Sequence, residues 1–312
     1  MWSPVRSKQT QEAGGSRAAR PFGPMQRLFG RPHSISTEVV LPERSAAATP
    51  ASIQADYGTI VGTDVELRAA SVRGLSHRAD PGHVRQDSYA WATSDDRLFV
   101  AVADGVGSAS HSQIGAWTAT RAAVELLSSG LGDPRTLGRV VAARIGATAR
   151  DLGLNPAALA TTLTVAMVRI GDADAPWRVA VAEWGDSRAS VFTPGEVVEG
   201  HPAWRRVTAE TAAVLANDVP ALPLHVEPTA RGTAMLVPGD VLLVATDGID
   251  AHLRAENPVG HGLGHSWTRP PSIAQFLCDV DFERVGARDD RTAVAMFRPA
   301  RTGESDLVGG EK

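Results

Sequence analysis

Between residues 60 and 300 the apolar positions follow two rhythms. Residues 98–103 (LFVAVA) and 241–245 (VLLVA) are apolar throughout. Short unbroken runs of this kind predict strands buried on both faces. Residues 64–72, 88–91, 159–170, 177–182, 188–192 and 292–297 predict further strands. By contrast, Ile114, Trp117, Val124 and Leu127 recur at three- and seven-residue spacing, which places them on one face of a helix. Asp133-Pro134 supplies an N-cap followed by a Pro at the first helical position. The helix it opens carries Leu137, Val140, Val141, Ile145 and Leu152 on one face, and Gly153 suits its end. Residues 271–278 predict a short helix. The turn residues 185–187 (Gly-Asp-Ser) predict that the strands on either side form an antiparallel hairpin. Residues 195–235, with many Pro, His and Ala, read as irregular. Two long helices between blocks of antiparallel strands predict an α+β fold: sheets packed face to face with helices outside.

The flanks read differently. Residues 1–60 are rich in Ser, Pro, Gly, Ala and Arg without a sustained period, and predict a disordered basic N-terminal arm. Residues 61–299 are expected to form one folded domain, and residues 300–312 a flexible tail. With 31 basic and 35 acidic residues the net charge is −4, without the basic excess of a dedicated nucleic-acid binder. No run approaches the roughly 18 apolar residues of a membrane helix, and no apolar stretch near the start reads as a signal peptide. Neither nucleic acid nor a membrane is therefore expected as a partner, and a cytoplasmic location is. The single cysteine, Cys278, excludes an intramolecular disulfide framework and a cysteine-built zinc site. Of the basic residues 29 are Arg and 2 are Lys, the usage of a GC-rich bacterial genome.

Candidate chemistry sits where apolar strands surface. Both LFVAVADG and VLLVATDG end in Asp-Gly, at Asp104 and Asp247. Asp87 stands just before one strand and Asp289-Asp290 just before the last; Asp186 lies in the 185–187 turn. One Asp-Gly is an ordinary turn pair. Its recurrence at strand ends points instead to carboxylates converging on a shared cleft, and a following glycine lets the backbone carbonyl approach a ligand closely. Carboxylates gathered without Cys or a paired His motif suit hard cations such as Mg²⁺ or Mn²⁺. Such a cation also relieves their mutual repulsion.

The ordered set RQDS (85–88), ADGVGS (103–108), ATTLTVA (160–166), GDSR (185–188), ATDG (245–248) and RDDRTAVAM (288–296) resembles the metal-dependent protein phosphatases, the PPM or type 2C family. The resemblance runs over residues 65–297. It implies that family's four-layer αββα sandwich of two antiparallel sheets flanked by helices. It also implies hydrolysis of phosphoserine and phosphothreonine by a metal-activated water. Asp104 would bridge two Mg²⁺ or Mn²⁺ ions, with the Gly105 carbonyl on one; Asp247 and Asp289 would complete the other. Asp87 would hold the inner water shell or bind directly. Asp186 would serve a third ion. The implied partner is a phosphorylated protein, a target of a bacterial Ser/Thr kinase.

The chain departs from that pattern in several places. Gln86 replaces the acidic residue before Asp87, which weakens one ligand. The position of the family's phosphate-binding Arg is Gly82, so Arg78 is expected to take the role, with Arg85 as the alternative. Val106 stands where eukaryotic relatives carry a His, and His111 nearby reads as a surface residue at a helix start. The usual companion of Asp186 is Ala251, with Asp250 shifted by one. These departures leave two other readings open: a non-catalytic binding module on the same fold, and a phosphohydrolase acting on a small molecule.

Overall fold

The computed structural model describes residues 53–300, apart from residues 79–83, 95, 210–219, 255–256 and 285–286. Most of the expected N-terminal arm, the C-terminal tail and Gly82 lie outside the described residues. The described strands form two antiparallel sheets. One has the order β1-β2-β11-β10-β7-β8 (Ile53–Thr59, Glu66–Val72, Arg291–Phe297, Val241–Ala245, Arg188–Val198, His201–Arg206). The other has the order β3-β4-β5-β6-β9 (Ser88–Ser94, Arg97–Ala103, Leu163–Arg169, Trp177–Trp184, Ala230–Leu236).

The unbroken apolar runs take the central positions the pattern demands. In β10, Leu242 and Val244 face the other sheet, while Val241, Leu243 and Ala245 face the helices. In β4, Leu98, Val100 and Val102 face the sheet interface, and Phe99, Ala101 and Ala103 the opposite helical layer. Side chains alternate with period two, so a strand sandwiched between layers is apolar at every position.

Three apolar layers result. Trp91, Val100, Val191, Leu242 and Val294 meet between the sheets. The long helices α2 (Ser112–Ser128) and α3 (Pro134–Asp151) cover the five-stranded sheet through Ala119, Ala123, Val141 and Ile145. Helices α5 (Pro258–Ser266) and α6 (Ile273–Val280) cover the six-stranded sheet through Leu263, Trp267 and Phe276. Each fully buried Val, Leu, Ile or Phe contributes about 1.5–3 kcal/mol, so these layers hold the sandwich together. Two single-turn helices, α1 (Leu75–Arg78) and α4 (Asp247–Asp250), lie in connections at one end.

Helix α3 starts as its sequence predicts: the Asp133 side chain accepts from Thr136 N at 2.9 Å, and Pro134 follows. Its end is one residue earlier than expected, because Leu152 is the C-cap and is 50% exposed. The buried face of α2 is built from Gly115, Ala116, Ala119 and Ala123 rather than from Trp117, which is 38% exposed and lies under Arg121. Small side chains let this helix lie close: a Cβ on Gly115 would stand 1.9 Å from the Leu159 carbonyl oxygen.

Three sequence expectations are corrected. Strands β6 and β7 do not form a hairpin, because they belong to different sheets. The 185–187 turn carries the chain across the sandwich. Gly185 makes this possible with φ +99°, where a Cβ would also stand 2.7 Å from Thr162 Cγ2. Residues 195–235 are not irregular throughout, since they contain β8 and β9. The sheet begins before residue 60: β1 pairs with β2 along its whole length, from Ile53↔Val72 to Thr59↔Glu66. As an edge strand it is only partly buried, so it lacks the apolar signal of the central strands.

Register collects the motifs at one end. Ser88 pairs with Ala103, and Leu163 with Trp184, so Asp87, Asp104 and the 185–187 turn sit together. In the other sheet Ala245 pairs with both Arg188 and Ala293, which brings Asp247, Asp186 and Asp289 to the same end.

Candidate active site

Each carboxylate at this end is held by a residue from another motif. The Asp104 backbone is clamped by the threonines of ATTLTVA. Thr162 N and Thr161 Oγ1 donate to the Asp104 carbonyl at 2.8 and 2.9 Å, and Asp104 N donates to Thr162 Oγ1 at 2.9 Å. Thr162 Oγ1 lies 2.9 Å from Ser187 Oγ, and Thr164 Oγ1 donates to the Ser187 carbonyl at 2.7 Å. The turn bearing Asp186 is thereby tied to the strand beside Asp104. Asp87 accepts at Oδ2 from Thr246 Oγ1 at 2.8 Å, a bond between the two sheets. Gly105 packs so closely that a Cβ there would meet Ser112 Oγ at 2.6 Å.

Asp290 organises the first motif. Its Oδ1 accepts from Gly74 N at 2.6 Å and lies 2.9 Å from His77 Nδ1; its Oδ2 accepts from Gln86 N at 2.5 Å. Ser76 N and Oγ both donate to the Arg288 carbonyl. The connection after β2 is thus fastened to the segment entering β11. In the sequence Asp290 is only the second half of an Asp doublet, and no expectation falls on it.

The electrostatics record the convergence. Burial pushes the Asp104 carboxyl well above its ordinary range, and the charges of Asp87, Asp247 and Asp289 push it further. Burial and then Asp290 raise Asp87. Asp247 is raised to about 6 by burial and then by Asp186 and Asp289. Burial raises Asp186, with Asp289 adding to it and Arg188 opposing. Buried oxygens also go without hydrogen-bond partners among the described residues: Asp87 Oδ1, Asp186 Oδ1 and Asp247 Oδ1. Carboxylates that repel one another and keep bare buried oxygens fit a cation. Among the described residues, no three His, Cys, Asp or Glu side chains make a closed ion cage by themselves.

The cleft beside them has a volume of about 340 Å³ and is lined by Ser76, Asp247, Gly248, Ala251, His252 and Arg288, with Ala287 and Asp289. Gly248 has no room for a side chain, since a Cβ would stand 2.0 Å from the Asp290 carbonyl oxygen. Neither expected arginine is among the lining residues. Arg78 is turned to other partners: its Nε donates to the Arg73 carbonyl at 2.6 Å, and a terminal nitrogen pairs with Asp281. Arg85 is 2% exposed and reaches Gln54 of β1 at 3.3 Å. Arg288 does line the cleft and is exposed. It immediately precedes Asp289 within RDDRTAVAM, and no expectation from the sequence falls on it. His111 pairs with Ser110 at the start of α2. Asp250, the shifted neighbour of Ala251, is bound by Arg206 at 2.6 Å.

The protein phosphatase 2C family signature matches residues 73–290. It spans well over half of the chain, and the chain belongs to that family. No curated relative matches it by sequence. Among solved structures it is similar to a bacterial serine phosphatase, with TM-score 0.52 and 11% identity over 76% of this chain and 99% of that one. Similar structures also include the catalytic domain of the serine threonine protein phosphatase PstP in complex with 2 manganese ions (TM-score 0.49, 21% identity, 75% of this chain and 98% of that one). PppA, a regulatory component of T6SS in Pseudomonas aeruginosa, is a third (TM-score 0.49, 18% identity, 75% of this chain and 97% of that one). The two antiparallel sheets and their flanking helices are the αββα sandwich of this family.

Proposed function

We propose that this chain is a metal-dependent protein serine/threonine phosphatase. The observation that carries the reading is the set of five aspartates at one end of the sandwich, three with buried oxygens that have no partner among the described residues. Asp104, the Gly105 carbonyl, Asp247 and Asp289 would hold two Mg²⁺ or Mn²⁺ ions, with Asp87 and Gln86 beside them and Asp186 available to a third. Such ions keep much of their water shell, so few direct protein ligands are needed. When bound, they would supply a water of lowered pKa and neutralise phosphoryl oxygens.

The chain's own groups supply position. Thr161 and Thr162 fix Asp104, Thr246 fixes Asp87, and Asp290 fixes the backbone of Gln86. Arg288, on the cleft wall beside Asp289, is placed to bind the phosphate of the substrate. That role passes to it from Arg78 because Asp281 already occupies Arg78. The substrate is a phosphoprotein, the target of a bacterial Ser/Thr kinase, and the setting is the cytoplasm.

The test is phosphate release from a phosphothreonine peptide and from p-nitrophenyl phosphate, with Mn²⁺ and with EDTA. Release that requires Mn²⁺ is expected. Failure to hydrolyse either compound with Mn²⁺ or Mg²⁺ present would sink the reading in favour of a binding module.

A further inference from the structure

Helix α4 separates two openings. On one side is the carboxylate cleft, reached by Asp247 at the start of the helix. On the other is a larger pocket of about 490 Å³, lined by Ser190, Trp204, Arg206, Asp250, Leu253 and Arg254. Asp250 ends α4, three residues after Asp247. That separation is about 4.5 Å along a helix axis. An extended peptide presents side chains on the same face about every 6.6 Å, so a segment with its phosphoresidue at the cleft can bring a second side chain two positions away to the other opening.

The pocket's chemistry is not that of the cleft. Among the described lining residues, two guanidinium groups, Arg206 and Arg254, stand with one carboxylate, Asp250. Arg206 pairs with Asp250 at 2.6 Å, which fixes its position. Arg254 is exposed, and among the described residues it has no ion-pair partner. The indole of Trp204 is immobilised by stacking on Phe192 at 4.7 Å and by donating from Nε1 to the Gly260 carbonyl at 3.0 Å. Leu253 is buried beside it. A fixed apolar wall with a cationic rim suits a side chain that has a short apolar stem and an anionic head.

We propose that this pocket binds an anionic side chain flanking the phosphoresidue of the substrate, either a carboxylate or a second phosphoryl group. The proposal rests on the phosphatase reading above and names a specificity determinant for it. Arg254 is the residue that reads the charge, and Arg206, held by Asp250, completes the rim.

The test uses the full chain with Mn²⁺ and four substrates: p-nitrophenyl phosphate and three phosphothreonine peptides. The peptides carry neutral flanks, Glu flanks or a second phosphoresidue. The wild-type chain is expected to show a KM roughly tenfold lower for at least one anionic peptide than for the neutral one. Arg254→Gln is expected to remove that difference while leaving kcat/KM for p-nitrophenyl phosphate unchanged. Arg254→Glu is expected to reverse the preference. Loss confined to the Glu peptide assigns the pocket to carboxylates, and loss confined to the doubly phosphorylated peptide assigns it to phosphoryl groups. Equal KM values for all peptides in the wild type, or no change in either variant, would overturn the proposal. Calorimetric binding of the same peptides needs no turnover. The pocket is therefore judged there separately if the chain hydrolyses nothing.

Discussion

Thr246 Oγ1 donates to Asp87 Oδ2 at 2.8 Å and accepts from Thr292 N at 3.1 Å. The threonine of ATDG, in one sheet, thus fixes the aspartate of RQDS, in the other. Thr246→Val would leave a buried carboxylate oxygen and a buried backbone N–H without this partner, a loss of about 1–3 kcal/mol. A lower melting temperature is expected, together with a higher Mn²⁺ concentration for half-maximal activity. Unchanged Mn²⁺ dependence would show that Asp87 does not depend on this clamp.

Asp104→Asn is expected to lower turnover below about a tenth of wild type while the protein stays folded. Asp104 is the carboxylate on which Asp87, Asp247 and Asp289 all act. Phosphate release and a thermal melt check the two halves together. A variant that keeps wild-type turnover would remove Asp104 from the ion-bridging role.

Arg288→Ala is expected to raise KM for p-nitrophenyl phosphate by roughly tenfold or more, and to weaken inhibition by free phosphate. Arg78→Ala is expected to change KM little, since its guanidinium serves the Arg73 carbonyl and Asp281. The reverse ranking of the two variants would return the phosphate to Arg78.

Removing divalent ions should make stability depend on pH in a defined direction. Asp247 titrates at about 6 in the folded chain against 3.8 ordinarily. Burial, Asp186 and Asp289 all favour its protonated form. The folded state therefore binds more protons, and the stability that this protonation contributes is lost as pH rises through about 6. Asp87 and Asp104 shift in the same direction. With EDTA, the melting temperature is expected to fall as pH rises from about 4 through about 6. With Mn²⁺ that fall should shrink or reverse. Equal pH profiles with and without Mn²⁺ would mean that no ion binds these carboxylates.

A chain that begins at residue 61 lacks β1 and is expected to melt lower than one that begins at residue 50. Its loss removes the bond from Tyr89 Oη to Asp56 at 2.9 Å and exposes the edge of β2. Identical melting curves would show that β1 adds nothing to the sheet.

Composition and periodicity made the central strands and α3 legible, because β4 and β10 are buried on both faces and α3 carries its own cap. They did not reveal strand partners. Nothing local distinguishes a turn that closes a hairpin from one that crosses between sheets, and the 185–187 turn does the second. Edge strands β1 and β8 share few apolar positions with the core, and α5 is a Gly- and His-rich segment whose helix rests on packing. The aspartates could be read because short side chains at strand ends stay where the backbone puts them. The arginines could not: Arg78 and Arg85 reach partners more than 200 and 31 residues away in the chain, Asp281 and Gln54. The role of Asp290 is hidden in the sequence for the same reason, since the donors it gathers belong to residues 74–86.

The connections of the sandwich divide unequally between its two ends. Away from the aspartates, β1–β2, β5–β6, β7–β8 and β9–β10 are joined by residues 60–65, 170–176, 199–200 and 237–240. The long excursions, including those that carry α1, α2, α3, α4, α5 and α6, all leave from the aspartate end. One end therefore closes the architecture and the other can diversify. A foreign peptide spliced between Glu199 and Gly200, whose φ values are +53° and +82°, would extend a turn at the end opposite the aspartate cluster. That position is a natural attachment point for a reporter or a second domain.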